Sequence, residues 1–415
     1  MRSFRLGCCL LCVAAGCGDT SRVVHAPVTQ LEVPPVKEPV TNGVEAPCTT
    51  AVTEIAAGSR HVCALLNTGR VRCWGDGHGG QLGYGNKESI GDDEVPGSVG
   101  DVDVGGSVQQ IAAGAYSSCG LLASGELVCW GSRLGPFLRK QPTDNASREA
   151  LDTIGDDESP AEAGEIDTPP AAQLASSGTE CLVLKNGKVH CLNALGPAES
   201  EFQARVVQVA VGRDQGCALM ETGVVRCWNT AFGAKRPPVS EAIDVGGVVT
   251  QISSGNEHVC AVLKTGAVRC WGDGLDGKLG YGSRETIGDD ETPASAGDVN
   301  VGGVVTQVSA GGWHTCALLA TGAVRCWGRG ALGHASREVI GDDEVPASVG
   351  DVDLGGKVKQ IVTGFQHTCA LLEGGTVRCW GDAYGGRLGY GNEKHVGYKN
   401  TPASAGDVPL WEPCR

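Results

Sequence analysis

The chain has 415 residues, of which 64 are glycine and 5% are aromatic, and its formal net charge is −15. This composition favours short strands joined by turns over long helices, and the acidic charge argues against nucleic acid as a partner because it repels phosphate groups. The twenty cysteines argue against a reduced cytosolic protein that lacks bound metal.

The N-terminal segment has the pattern of a secretory signal peptide. Arg2 and Arg5 accompany an apolar run, Leu6–Val13, that is too short to span a membrane. The small residues Ala14–Gly16 then precede Cys17, an order that resembles the lipobox of bacterial lipoproteins, in which the cysteine is acylated and becomes the new N-terminus. The resemblance implies lipidation of Cys17, and an ordinary cleaved signal peptide is the alternative.

A proline-rich stretch follows the expected lipidation site. Residues 18–47 contain five prolines and no apolar periodicity, which predicts a semi-extended tether. The expected organisation is therefore a lipoprotein signal peptide (1–16), a lipidated cysteine with a proline-rich tether (17–47) and a repeat domain (48–415).

From residue 48 onward the chain repeats one unit that holds two cysteines ten positions apart. Residues 251–272 show the unit clearly, as the strand-like segments QISSG, HVCAVL and AVRCWG separated by turns, and no segment predicts a helix. Seven such units, each too small to bury both faces of a sheet, favour stacking into a closed ring. The predicted fold is all-β, a seven-bladed β-propeller with three or four short strands in each blade.

The units also resemble the repeat of the regulator of chromosome condensation family. The first unit supplies Gly58, His61, Ala64-Leu65, Gly69, Val71, Trp74-Gly75 and Gly80-Gln81-Leu82-Gly83. The resemblance covers about residues 52–408, and units three and four depart from it, with Leu192-Asn193 and Trp228-Asn229 in place of Trp-Gly. That family forms seven-bladed propellers, which agrees with the count of units, and the resemblance implies protein recognition.

The paired cysteines predict disulfides. A three-residue turn at Asn67–Gly69 places Cys63 opposite Cys73, close to disulfide distance on an antiparallel hairpin. We expect one such bond in each blade of an exported chain, and a role as small buried apolar residues is the alternative. The expected pairs are Cys63–Cys73, Cys119–Cys129, Cys181–Cys191, Cys217–Cys227, Cys260–Cys270, Cys316–Cys326 and Cys369–Cys379. The remaining Cys48 and Cys414 flank the repeats, so a closed ring would make them neighbours, and we expect a further disulfide between them.

Two recurring polar positions suggest scaffold roles. A histidine precedes the first cysteine by two positions in four units, as His61, His258, His314 and His367. A shared metal ion is disfavoured because the other units carry different residues, and we expect a hydrogen bond within each blade. An arginine precedes the second cysteine in five units, as Arg72, Arg226, Arg269, Arg325 and Arg378. These arginines are expected to form pairs between blades or to bind backbone carbonyls.

Two further motifs could hold ligands. Residues 75–80 and 272–277 match G-x-G-x-x-G, but the helix that a dinucleotide site needs does not follow them. Four loops carry the sequence GDDE, with carboxylates at residues 92–94, 156–158, 289–291 and 342–344. Three adjacent carboxylates could bind calcium, but the ligand spacing of a known calcium loop is missing, and a solvated turn or an interblade salt bridge is the favoured interpretation. We therefore expect no cofactor, no metal and no catalytic set.

The turns between the first and second strands are the expected interaction surface. Each has a fixed glycine followed by variable residues, and these turns would ring the central channel on one face if the first strand is innermost. The predicted partner-binding residues are Arg60, Tyr116, Arg213, Trp313 and Phe365. Aromatic residues and arginine dominate interface hot spots, whereas tolerated surface variation is the alternative. The GDDE loops are expected on the same face, towards its outside.

The sequence as a whole favours a non-catalytic, monomeric protein-binding propeller, exported and anchored by lipid at the bacterial outer membrane, on its periplasmic or cell-surface side. The partner is an unknown protein, and the membrane contact is the lipid anchor alone. The alternative is a glycan-binding or glycan-cleaving surface propeller. Guanine-nucleotide exchange, which the nuclear family members perform, is disfavoured by the export signal and the acidic charge.

Overall fold

The computed structural model describes residues 50–132, 153–176, 180–192, 202, 204–213, 215–229 and 241–411. They belong to one compact unit, Cys48–Arg415. The predicted signal peptide, Cys17, the tether and the Cys48–Cys414 bond lie outside the described residues. Within the described ranges, no helix has the length and apolar character that crossing a membrane requires.

The described chain folds into seven small antiparallel sheets, which confirms the predicted all-β seven-bladed propeller. The strands of blades 1 and 2 are β1 (Val52–Ala57), β2 (His61–Leu66), β3 (Val71–Gly75), β4 (Val108–Ala113), β5 (Ser117–Leu122), β6 (Leu127–Ser132) and β7 (Thr153–Ile154). Blades 3 and 4 hold β8 (Ala171–Ser176), β9 (Glu180–Leu184), β10 (Val189–Cys191), β11 (Val206–Val211), β12 (Gln215–Met220) and β13 (Val225–Asn229). Blades 5 to 7 hold β14 (Val249–Ser254), β15 (His258–Leu263), β16 (Val268–Gly272), β17 (Val305–Ala310), β18 (His314–Leu319), β19 (Val324–Gly328), β20 (Val358–Thr363), β21 (His367–Leu372) and β22 (Val377–Gly381).

Five single-turn helices at the outer edge were not expected from the sequence. They are α1 (Pro96–Val99), α2 (Pro160–Ala163), α3 (Pro293–Ala296), α4 (Pro346–Val349) and α5 (Pro402–Ala405). Each begins with proline, whose fixed φ suits the first helical position, and each ends before a glycine at positive φ, such as Gly100 at 96°. The expectation of no helix was therefore wrong. The sequence did not reveal these helices because four residues are too few to show a helical period.

The hairpin disulfides form as predicted in all seven blades. Cys63 pairs directly with Cys73 across β2 and β3, with Cα atoms 4.1 Å apart, and Cys316 pairs in the same way with Cys326. The remaining bonds are Cys119–Cys129, Cys181–Cys191, Cys217–Cys227, Cys260–Cys270 and Cys369–Cys379. Their number indicates an oxidising compartment outside the cytoplasm.

The first strand of every blade lines a central channel, which has a volume of about 290 Å³. Glutamine side chains tie these strands together, because in four blades the amide both donates to and accepts from the backbone of the next blade. Gln360 of blade 7 thus contacts the carbonyl and the amide of Ile55 in blade 1, at 3.0 and 2.9 Å, and this contact closes the ring. Matching amide pairs join Gln208 to Ile252, Gln251 to Val308 and Gln307 to Ile361.

Blade 1 departs from this pattern, because Glu54 occupies the glutamine position. Burial raises the pKa of Glu54 to about 7, an effect that its hydrogen bond with the Ile111 backbone opposes. An ionised carboxylate can only accept hydrogen bonds, whereas a protonated one can also donate, as the glutamine amides do. Only a protonated Glu54 can therefore make both kinds of contact that the glutamine amides make.

The repeated histidines join neighbouring blades, which corrects the expectation of a bond within each blade. The Nε2 of His61 lies 2.8 Å from Ser118 Oγ of the next blade, and His258 and His314 contact Thr315 and Thr368 at 2.8 and 2.7 Å. The Ser118 hydroxyl donates in turn to the Gln81 carbonyl at 3.0 Å. Because the Ser118 and Thr315 hydroxyls each donate to a backbone carbonyl, they accept from His61 and His258, which therefore donate from Nε2.

His367 lacks this partner where blade 7 meets blade 1. The residue at the hydroxyl position of blade 1 is Val62, and both ring nitrogens of His367 are buried without a hydrogen bond. We expect Val62→Thr to stabilise the propeller by about 1 kcal/mol, because threonine has the shape of valine and offers the missing hydroxyl. The midpoint of guanidinium unfolding measures this change.

The reciprocal variant provides the control for this expectation. Thr315→Val removes the hydroxyl that binds His258 and leaves that buried ring nitrogen without a partner. This substitution should therefore lower the free energy of unfolding by about 1 to 3 kcal/mol. If the two variants shift the unfolding midpoint in the same direction, the hydroxyl is not what holds the histidine.

Candidate protein-interaction face

The turns between first and second strands lie at one mouth of the channel. Ser59, Asn256, Gly312 and Phe365 from four of these turns line the channel itself. The backbone amide of Phe365 donates to the Ser59 carbonyl at 3.3 Å, so the turns of blades 7 and 1 are joined. We call this end of the propeller the turn face.

Two of the predicted aromatic residues form a cluster on the turn face. The rings of Trp313 in blade 6 and Phe365 in blade 7 have centroids 5.0 Å apart. The guanidinium of Arg329 lies over the Trp313 ring, 5.5 Å from its centroid, and 3.6 Å from the Asp276 carboxylate. Both aromatic side chains are half-buried, so each presents part of its ring to solvent.

The other predicted residues lie apart from that cluster. Arg60 and Tyr116 line a separate groove between blades 7, 1 and 2, with a volume of about 680 Å³. Arg60 is exposed and lies 3.7 Å from Asp76, and Arg213 in blade 4 is also exposed. The structure therefore brings Trp313 together with Phe365 and Arg60 with Tyr116, and it does not bring Arg213 into either group.

Blade 7 contributes aromatic residues that the repeat analysis missed. His395 lies between Tyr384 and Tyr398, with ring centroids 4.8 and 5.9 Å away, and Arg337 of blade 6 lies 4.6 Å from the Tyr398 ring centroid. Burial raises the pKa of Tyr398 to about 12, and its hydroxyl donates to Asp382 at 3.0 Å. Tyr384 is 57% exposed. Tyr384, His395 and Tyr398 lie in the long loop after the third strand of blade 7. This loop differs in sequence among the units, and that difference could have identified these residues.

The GDDE loops pack three carboxylates together in each of four blades. Within each loop, one oxygen from every carboxylate lies within 4.8 Å of the others, and burial, with help from Asp93 and Asp92, raises the pKa of Glu94 to about 7. Lys87 of blade 1 pairs with Asp156 of blade 2 at 3.0 Å, and Arg284 of blade 5 pairs with Asp342 of blade 6 at 2.5 Å. The interblade salt bridge is thus present at two loops. Asp92 lines the same groove as Arg60, as expected for a loop on the turn face.

Four of the five repeated arginines, Arg72, Arg269, Arg325 and Arg378, are scaffold residues, as expected. Arg269 donates from Nε to Asp298 of its own blade at 2.9 Å and from Nη1 to the Val245 carbonyl of the preceding blade at 2.7 Å. Arg378 makes the same two contacts, with Asp407 at 2.7 Å and with the Leu354 carbonyl at 2.6 Å.

Five segments of the chain match the profile of the Regulator of chromosome condensation (RCC1) repeat, at residues 52–81, 108–132, 249–278, 305–333 and 358–386. A second profile of this repeat matches residues 265–318. The matched segments fall in blades 1, 2, 5, 6 and 7, so the two blades without a match are the two whose sequences depart from the repeat.

Proteins with similar sequences come from animals and plants. The E3 ubiquitin-protein ligase HERC2 of Homo sapiens is 26% identical over 360 residues, which are 85% of this chain and 5% of that protein. The Ultraviolet-B receptor UVR8 of Arabidopsis thaliana is 28% identical over 368 residues, covering 81% of this chain and 78% of the receptor. The chain spans only a small part of HERC2. Among solved structures, human WBSCR16 superposes with a TM-score of 0.46 and 18% identity, covering 84% of this chain and 80% of that one.

Proposed function

This chain is built from regulator of chromosome condensation repeats, and we propose that it is a non-catalytic propeller that binds a protein partner through the turn face of blades 6, 7, 1 and 2. The observation that carries the proposal is the concentration there of aromatic and arginine side chains that the repeat does not require. Trp313, Phe365 and Tyr384 lie on this arc. Such residues dominate interface hot spots.

The scaffold suits recognition of a rigid surface. Disulfides hold every hairpin, and glutamine and histidine side chains tie adjacent blades. A face built on rigid elements binds with little loss of conformational freedom. The partial exposure of Trp313 and Phe365 leaves ring surface that a partner can bury.

We further propose that the protein is a lipoprotein, anchored by acylated Cys17 at the bacterial outer membrane, on its periplasmic or cell-surface side. The sequence Ala14-Ala15-Gly16-Cys17 supports the anchor, and the hairpin disulfides support export. Several acyl chains on one cysteine would hold the protein stably. A monomer on a tether presents the turn face without a second copy.

The double variant Trp313→Ala with Tyr116→Ala tests the protein-binding proposal. Removing both aromatic side chains should weaken capture of the partner from native cell envelopes by about thirtyfold or more, because even one hot-spot residue contributes roughly 2 kcal/mol or more. Quantitative mass spectrometry of the captured proteins, over a range of bait concentrations, measures the change.

A matched control is available on the opposite face. Val248 and Val304 are 52% and 57% exposed and directly precede the first strands of blades 5 and 6, away from the turn face. Val248→Ala with Val304→Ala removes apolar surface there and should leave capture unchanged. Equal losses in both double variants would exclude the turn face. Binding on a glycan array, with no protein captured, would favour the glycan-binding alternative.

A further inference from the structure

The groove between blades 7, 1 and 2 holds a buried cation that makes no direct ion pair with a carboxylate of the described residues. Arg387 is only 5% exposed, and its Nε donates to the Tyr384 carbonyl at 2.8 Å. Among the described residues, no carboxylate oxygen lies within 4.0 Å of its guanidinium. Burial, followed by the charge of Arg60, lowers the pKa of Arg387, and the more distant charges of Asp382, Asp76 and Glu393 only partly offset this. The groove that Arg387 lines also includes Arg60, Tyr116 and Tyr384.

Blade 5 shows how the same position is neutralised elsewhere in the molecule. Lys278 occupies the place of Arg387 in the Gly-x-Leu-Gly loop and is 2% exposed. It pairs with Asp273 at 2.6 Å and with Glu257 at 3.1 Å. Two carboxylates therefore accompany the buried cation of blade 5. This pairing is what burial of a charge ordinarily requires.

Both of those carboxylates are missing or engaged in blade 7. The counterpart of Glu257 is the neutral Gln366, and the counterpart of Asp273 is Asp382. Asp382 accepts from the Tyr398 hydroxyl at 3.0 Å and lies 3.7 Å from His395. Blade 7 has thus kept the cation without the direct carboxylate contacts that Lys278 has in blade 5, while the groove beside Arg387 stays open.

The walls of the groove limit which anion can enter. Asp76 pairs with Arg60 at 3.7 Å and with His78 at 2.7 Å, and Glu393 accepts from the Gly385 amide at 2.6 Å. Asp92 lines the groove as well, and its Oδ1 is buried without a partner. These carboxylates repel a multiply charged ligand, whereas one carboxylate can pair with Arg387 and Arg60.

We propose that this groove binds a single carboxylate group, presented by an acidic side chain or the carboxyl terminus of a protein. Arg387 at the base and Arg60 at the rim pair with the carboxylate, and Tyr116 and Tyr384 pack beside the chain that carries it. That the carboxylate belongs to a protein rests on the proposed function. That the groove binds a carboxylate is inferred from the residues of the groove alone.

Sodium acetate is the probe that tests the site, with acetamide as its neutral counterpart. Saturation transfer from the full chain to the acetate methyl group, at ionic strength held constant with chloride, should give a saturable signal that acetamide does not. Arg387→Gln should weaken acetate binding by about tenfold or more, because one charge-assisted pair is lost. Arg60→Gln, at an exposed position that folding tolerates, should weaken it by a smaller factor.

Arg284→Gln is the matched control, since Arg284 is exposed and pairs with Asp342 outside the groove. It should bind acetate as the unmodified chain does. Equal losses in Arg284→Gln and Arg387→Gln, or no loss in Arg387→Gln and Arg60→Gln, would refute the site. Tighter binding of sulfate or inorganic phosphate than of acetate would overturn the carboxylate assignment. If Trp313→Ala with Tyr116→Ala leaves protein capture intact while acetate still requires Arg387, the proposed interaction face fails and the carboxylate site stands.

Discussion

Reduction of the hairpin disulfides is expected to abolish folding of the propeller. Each bond closes a loop of ten residues, which the chain-entropy model values at about 2.7 kcal/mol. Seven such bonds together approach about 19 kcal/mol, which exceeds the roughly 5 to 15 kcal/mol of net stability that folded domains retain.

The experiment must reduce the unfolded chain, because all the hairpin cysteines except the partly buried Cys191 and Cys227 are almost fully buried in the folded one. After reduction in guanidinium and dilution into buffer with reductant, the chain should fail to recover buried-tryptophan fluorescence. Trp74, Trp130, Trp327 and Trp380 are fully buried and report on the blades. The oxidised chain, unfolded and diluted identically, provides the control. Native fluorescence in the reduced sample would show that packing alone suffices.

Acidification should destabilise the propeller strongly between pH 6.5 and about 4. Burial lowers the pKa of His61 and His314 to about 4 and that of His258 to about 3, and it holds the pKa of His367 well below its usual value. All four are neutral when folded but gain a proton near pH 6.5 when unfolded. Their stabilisation is therefore complete above pH 6.5 and is lost as pH falls towards the folded pKa values.

The size of this effect follows from the shifts in proton affinity. A tenfold change in proton affinity, which is one pKa unit, corresponds to about 1.4 kcal/mol. His61, His258 and His314 together therefore contribute on the order of 10 kcal/mol to the free energy of unfolding, and acid removes this contribution. Glu54 acts in the opposite direction. Its folded pKa is raised to about 7, so its contribution is present at low pH and is lost as pH rises through 4.5 to 7.

The free energy of unfolding in urea, measured at a series of pH values, gives the number of protons that the chain takes up when it unfolds. Near pH 5 the slope of stability against pH should correspond to about four protons from the histidines, less the opposing contributions of carboxyl groups with a raised pKa, such as Glu54 and Glu94. Glu54→Gln removes its part of that opposition and should steepen the slope. His314→Gln should remove about one proton from the slope. A flat stability profile from pH 7 to 4.5 would contradict the assignment.

The regular parts of the fold could be predicted because they depend on local spacing. A turn of three residues between Cys63 and Cys73 determines which residues face each other, so the hairpin bond follows from the chain itself. The count of units likewise determined the number of blades. Arg269 and its equivalents were recognisable as scaffold because every copy stands beside the same cysteine.

Contacts between blades could not be predicted in this way. His61 meets Ser118, 57 positions away, and only ring closure brings His367 opposite Val62. The significance of Arg387 was hidden for the same reason. Gln81, Lys278 and Arg387 share one repeat position, but whether a buried cation has a counter-ion depends on Gln366 and on the hydrogen bond that engages Asp382. These are properties of three-dimensional neighbours.

The spacing of the cysteines has a consequence for how the protein acquires its covalent structure. In each of the seven hairpins the correct partner is ten residues away, whereas Cys73 and Cys119 of successive blades are far more distant along the chain. Closing a short loop costs less entropy than closing a long one, so the native bond is also the one that forms most readily. A chain that enters an oxidising compartment from its N-terminus can thus complete each blade before the next arrives, with no wrongly paired bond to exchange later.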